Sequence, residues 1–149
     1  MLLKSRPILA VEDSDQDFDV LEMCLKTAGV LNPVQRCASG EEIRNYFERM
    51  ERAAASEIPV FVFLDLNLPG IRGADVLARL KRHKTLNPVP VVVLTTSSQV
   101  RDVDLSYSLG AAGFLTKPLD LDKFEKMIQH VADYWFSCVK LPENAERAR

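Results

Sequence analysis

The hydrophobic positions of this chain follow two alternating rhythms. Ile8–Val11, residues 59–64 and residues 89–94 are short apolar runs rich in Val and Phe, each closed by a polar or acidic residue. Runs that stay apolar at successive positions predict strands buried on both faces, as in a parallel sheet. Residues 34–38 and 113–115 are weaker runs, predicted as strands because helical patterns flank them on both sides. Between these runs the spacing turns helical. After Ser14, an N-cap residue type, Phe18, Leu21, Leu25 and Ala28 keep a helical period until Gly29 stops it. Ser39 with Glu42 forms a capping box, and Ile43, Tyr46, Phe47 and Met50 carry a second helix on into residues 53–55. Residues 73–83, with Val76, Leu77 and Leu80 on one side, predict a third, and residues 98–109 a fourth. From Asp120 the series Leu121, Phe124, Ile128, Val131 and Trp135 predicts a long fifth.

Strand and helix thus alternate five times, which implies an α/β fold: a doubly wound five-stranded parallel sheet with helices on both faces. In such sheets ligands bind beyond the carboxyl ends of the strands. Glu12 and Asp13, then Asp65, then Thr95 fall at those ends, and Lys117 follows the fifth strand. Carboxylates gathered there repel one another, so their convergence calls for a cation. Oxygen-only ligands favour a hard ion such as Mg²⁺ over zinc. A carboxylate can also attack phosphorus when a metal screens the incoming anion and cationic or hydroxyl groups hold the phosphoryl oxygens. Asp65, Thr95 and Lys117 supply those three roles.

Composition narrows the picture. The 149 residues suit one compact domain, with 47% hydrophobic content to fill a core. Nineteen Lys and Arg against twenty-one Asp and Glu leave a net charge of −2, which gives no bulk attraction to nucleic acid or to an anionic membrane. Direct DNA binding is therefore not expected. Cys24, Cys37 and Cys138 lack metal spacing and lie in apolar or amphipathic stretches, so buried reduced thiols and a cytoplasmic location are expected. Neither a signal-peptide core nor a stretch of membrane-spanning length is present in the sequence. Residues 1–141 are expected to form the domain and residues 142–149 a short polar tail.

The run Val11-Glu12-Asp13-Ser14, the run Phe63-Leu64-Asp65-Leu66-Asn67-Leu68-Pro69-Gly70 with Gly73, the run Val93-Leu94-Thr95-Thr96, and Thr116-Lys117-Pro118 together resemble the receiver domains of two-component response regulators. Four motifs in register are far more specific than any one of them. The resemblance implies strand order 2-1-3-4-5 and a protein that catalyses only its own phosphorylation and dephosphorylation. It implies that Asp65 is the phosphoacceptor and that Asp13, Asp65 and the backbone carbonyl of Asn67 ligate Mg²⁺, with Glu12 reaching the metal through water. Thr95 would donate to a phosphoryl oxygen, Lys117 would pair with the phosphate, and Phe114 would be the aromatic that follows Thr95 as the switch. In the family the Lys-Pro bond is commonly cis, which would place Lys117 over the site. Glu12 stands where Asp is commoner, Phe114 lacks a tyrosine hydroxyl, and Thr96 is larger than the residue often found after the switch threonine.

A finer likeness is to the small regulators paired with bacterial and cyanobacterial phytochromes. It rests on the Leu94-Thr95-Thr96-Ser97 run, the long second helix, and a fifth helix ending Tyr134-Trp135-Phe136-Ser137 before Leu141-Pro142. It implies a phytochrome-type histidine kinase as partner and a homodimer through the fifth helix and its extension. Trp135 continues the apolar stripe, and neighbouring helix positions diverge by about 100°, so Tyr134 and Phe136 cannot both share its face. At least one of them is expected to be open to a partner.

Plainer readings compete. Glu12 and Asp13 alone make an acidic helix start favourable to the macrodipole. Thr95 and Thr96 alone are β-branched strand residues, and Thr96 is taken as no more than that. His83 and His130 are expected to be solvated surface positions. Two other functions use similar residues: a haloacid-dehalogenase-like phosphohydrolase, which needs a second carboxylate where this chain has Asn67, and a degenerate receiver that only binds proteins.

Overall fold

The computed structural model describes residues 5–143. The expected tail is therefore seen only at Pro142 and Glu143; its remainder, residues 144–149, lies outside the described residues. Five strands, β1 (Ile8–Val11), β2 (Val34–Cys37), β3 (Phe61–Leu64), β4 (Val91–Thr95) and β5 (Gly113–Thr116), form one parallel sheet in the order β2-β1-β3-β4-β5. The helices α1 (Asp15–Thr27), α2 (Gly40–Met50), α3 (Gly73–Arg82), α4 (Val100–Ser108) and α5 (Leu121–Asp133) connect them. This is the doubly wound order that the resemblance to receivers implied.

The two-residue period of the strands divides the core in two. Leu9, Val11, Val62, Leu64, Val91 and Val93 face α2 and α3, whereas Ile8, Ala10, Phe61, Phe63, Val92 and Leu94 face α1 and α5. The central strands β1, β3 and β4 are buried throughout. The edge strands β2 and β5 are only partly buried, which explains why their sequence signals are weaker.

Caps fix the helix starts. The Ser14 hydroxyl accepts from Asp17 N–H, that of Ser39 from Glu42 N–H, and the Asp120 carboxylate from Lys123 N–H. At α2 the reciprocal arm reaches one residue further back than a standard capping box, with Ala38 N–H donating to Glu42 Oε1 at 2.6 Å.

Several expectations need correction. α2 ends at Met50 rather than running into residues 53–55, and a 3₁₀ turn, Ala55–Glu57, follows before β3. Cys24 and Cys37 are buried as expected, but Cys138, in the turn after α5, is exposed. Burial pushes the Cys37 thiol up to about 11. His130 is exposed, as expected, whereas His83 is not a solvated bystander. Its ring stacks on Phe47, its Nε2 meets Phe47 O at 3.0 Å, and its Nδ1 accepts from Thr85 and Leu86 N–H, so it closes α3 and ties it to α2.

α5 runs into a π-helical turn, Tyr134–Cys138, in which Val139 N–H donates to Tyr134 O. The wider turn reduces the angle between neighbouring side chains. Trp135 and Phe136 both pack on Phe61, at centroid distances of 5.3 and 5.6 Å, leaving Tyr134 as the exposed aromatic at 55%. Beneath this end of the sheet the Arg6 guanidinium is fully buried. It donates to the carbonyls of Ile58, Pro59, Pro142 and Glu143, joining the entry to β1, the entry to β3 and the end of the described chain. Among the described residues no helix is long and apolar enough to cross a membrane.

Candidate functional site

The carboxyl ends of four strands deliver the polar residues that the sequence singled out. Glu12 and Asp13 follow β1, Asp65 follows β3, Thr95 ends β4, and Lys117 follows β5. Pairing register brings them together: Asp65 N–H donates to Val11 O at 3.0 Å, and Lys117 N–H to Thr95 O at 2.7 Å. Glu12, Asp65 and Thr95 are buried, and Asp13 is exposed at the rim.

The Lys117 ammonium is the hub. Its Nζ lies 2.6 Å from Glu12 Oε1, 2.9 Å from Asp65 Oδ2 and 2.9 Å from Asp17 Oδ2. Burial works against the charged ammonium, but the hydrogen bonds to the three carboxylates win and hold it well above the ordinary lysine range. Burial pushes the Glu12 carboxyl up, and Lys117 opposes that shift. Asp65 is held at both oxygens, Oδ2 by Lys117 and Oδ1 by Asn67 N–H at 2.9 Å.

The chain around Asp65 is shaped to stay clear of it. Residues Asn67–Leu68 and Ile71–Arg72 form a small antiparallel ribbon turned by Pro69 and Gly70, the latter at φ 74°. Gly73 then starts α3 against the ribbon so closely that a Cβ there would lie 2.4 Å from Leu66 Cα. No other residue fits that approach without moving the backbone that carries Asp65.

Oxygen atoms of Glu12, Asp13 and Asp65 lie within 4.8 Å of one another. An all-oxygen carboxylate set of that spacing fits a hard divalent cation, because one ammonium leaves the surrounding carboxylates in excess. Asn67 lies beside the cluster with its side-chain amide donating to Thr95 Oγ1 at 3.2 Å and Thr96 Oγ1 at 3.1 Å. Phe114 is half-buried and packs against the core on the α2 and α3 side. The expected cis bond is not found, since the described residues contain no cis peptide bond. Lys117 reaches the cluster from a trans linkage because the pairing of β5 with β4 already aims it there.

Two participants were missed in the sequence. Asp17 lies in the first turn of α1, and its carboxylate meets the Lys117 ammonium there. Arg36 on β2 grips the acidic loop: Nε donates to Glu12 O at 2.9 Å, Nη2 to Asp13 O at 2.9 Å and Nη1 to Asp15 Oδ1 at 2.7 Å, with the guanidinium over the Phe18 ring. No local pattern signals that role, which depends on β2 lying beside β1.

A sheet in this order, with carboxylates, a threonine and a lysine gathered at its carboxyl edge, is the architecture of a receiver. The family described as Response regulator receiver domain matches residues 8–129, and the chain belongs to it. The phosphohydrolase alternative therefore falls. The chain is similar to Response regulator Rcp1 of Synechocystis sp., at 36% identity over 91% of this chain and 92% of that protein. Among solved structures it resembles the phosphorylated cyanobacterial phytochrome response regulator RcpA, with a TM-score of 0.83 and 34% identity over 93% of this chain and 99% of that one. It also resembles the Mn²⁺-bound form of Rcp1, with a TM-score of 0.79 and 34% identity over 92% and 99%. The likeness to phytochrome response regulators implied by the sequence is thus borne out.

Proposed function

We propose that this protein is a cytoplasmic response regulator whose receiver domain spans residues 1–141 and whose Asp65 accepts a phosphoryl group from a phytochrome-type histidine kinase. The observation that carries the proposal is Asp65 itself, a buried carboxylate whose two oxygens are held by Lys117 and by Asn67 N–H inside an acidic cluster. Glu12, Asp13, Asp65 and the backbone carbonyl of Asn67 would hold Mg²⁺, with Glu12 acting through water. When bound, the ion neutralises charge between the nucleophile and the incoming phosphoryl oxygens.

The residues of the chain supply the remaining steps. An Asp65 oxygen forms the new bond to phosphorus while the bond from phosphorus to the kinase imidazole nitrogen breaks, leaving its electron pair on that nitrogen. Lys117, already oriented on Asp65, holds a phosphoryl oxygen. The Thr95 hydroxyl accepts from Asn67 in the unphosphorylated protein and turns to donate to the phosphoryl group. Phe114 moves into the space that Thr95 leaves, which alters the surface near β5. A local charge change becomes a change in affinity for partners without direct nucleic-acid or membrane binding. The test is transfer of labelled phosphate from an autophosphorylated phytochrome-type kinase in Mg²⁺ and in EDTA. Metal-dependent transfer is expected, and none in Mg²⁺ would favour a degenerate receiver.

The same proposal includes a homodimer through α5 and the turn that follows it. Its support is Tyr134, exposed at 55% and set edge-on against Trp135 at 5.3 Å, at the end of a helix whose other aromatics are packed inward. Sedimentation at micromolar concentration is expected to show a dimer for the parent and a shift toward monomer for Tyr134→Ala. A monomeric parent would remove the dimer from the account.

A further inference from the structure

A lysine ammonium has three N–H bonds, and those of Lys117 are all engaged: with Glu12 at 2.6 Å, Asp65 at 2.9 Å and Asp17 at 2.9 Å. It has no free donor for a phosphoryl oxygen, so one contact must be given up when the group arrives. The three contacts are unequal. Glu12 is the shortest and lies in a buried pair, and Asp65 carries the arriving group itself. Asp17 is the outlier, with its side chain 46% exposed on the first turn of α1, where water can replace the lysine at little cost.

We propose that Asp17 is a positioning residue that holds Lys117 toward α1 in the unphosphorylated protein and competes with the phosphoryl group for its ammonium. Resting on the assignment of Asp65 and Lys117 above, this makes the Lys117–Asp17 contact a brake on phosphorylation. It sets how much phosphoryl donor is needed, rather than how fast the filled site reacts. Asp17 touches neither the acceptor nor the metal cluster, and it acts only through Lys117.

The experiment measures adduct formation by intact mass with acetyl phosphate at saturating Mg²⁺, for the parent, Asp17→Asn, Asp17→Glu and Asp19→Asn. Asp19 is an exposed residue of the same helix, so its variant removes the same charge without touching Lys117. In Asp17→Asn the donor concentration for half-maximal rate is expected to fall by roughly threefold to fivefold, with the maximal rate changed less than about twofold. Asp17→Glu should return toward the parent, and high salt should close the gap by screening the exposed contact. An Asp17→Asn protein that matches the parent, or an equal shift in Asp19→Asn, would overturn the role of Asp17 alone. A parent that takes up no phosphoryl group would overturn this role together with the assignment of Asp65.

Discussion

Replacing Arg6 by alanine is expected to lower the unfolding free energy by about 3–4 kcal/mol, which would be read as a lower urea midpoint at unchanged slope. The side chain is fully buried, and its fork holds Ile58 O at 2.8 Å and Pro59 O at 2.9 Å from one nitrogen pair. The other nitrogen holds Glu143 O at 2.7 Å and Pro142 O at 3.3 Å. Alanine leaves two buried carbonyls without a donor, and each such loss costs about 1–3 kcal/mol before the vacated space is counted. Lysine would restore only part of the loss, because a single ammonium cannot span the two sides that a planar guanidinium joins. A loss below about 1 kcal/mol would mean that water enters and satisfies these carbonyls, and that Arg6 does not clamp the chain end.

Replacing Lys117 by methionine is expected to slow phosphoryl acceptance by about a hundredfold or more at saturating donor and Mg²⁺. The substitution removes the cation that, among the described residues, contacts Asp65 and would hold the phosphoryl oxygens, while keeping much of the side-chain bulk. It also leaves Glu12 and Asp65 as buried carboxylates without their ammonium partner, so the metal-free protein should lose stability. Added Mg²⁺ should restore stability through the same carboxylates without restoring the rate. That divergence separates screening of the resting cluster from stabilisation of the transferring group. A variant that regained both with Mg²⁺ would show that Lys117 serves only to neutralise the carboxylates.

The central sheet was legible in the sequence because β1, β3 and β4 are buried on both faces and carry no polar position until their carboxyl ends. Those ends are where Glu12, Asp65 and Thr95 stand, so the candidate site was legible for the same reason. The edges were less clear: β2 carries Gln35 and Arg36 in a half-buried environment, and only its flanking helices betrayed it. Contacts between distant segments were not legible. Arg6 meets Pro142 and Glu143, and Arg36 meets Glu12, across pairings that local periodicity does not encode. Asp17 was hidden in plain sight, because an acidic residue in a first helical turn has an ordinary explanation in the helix dipole. The aromatic end of α5 keeps the expected division, with Tyr134 exposed and Phe136 packed inward beside Trp135. What the sequence did not signal is the π-helical turn itself, whose smaller angle between neighbours lets Trp135 and Phe136 pack on the same ring.

The most direct test of Asp65 as phosphoacceptor is intact mass after incubation with Mg²⁺ and a small acyl phosphate, comparing the parent with Asp65→Asn. The account predicts a single phosphoryl adduct on the parent and none on the variant. An adduct that persists in Asp65→Asn would place the acceptor elsewhere and contradict the assignment on which the mechanism rests.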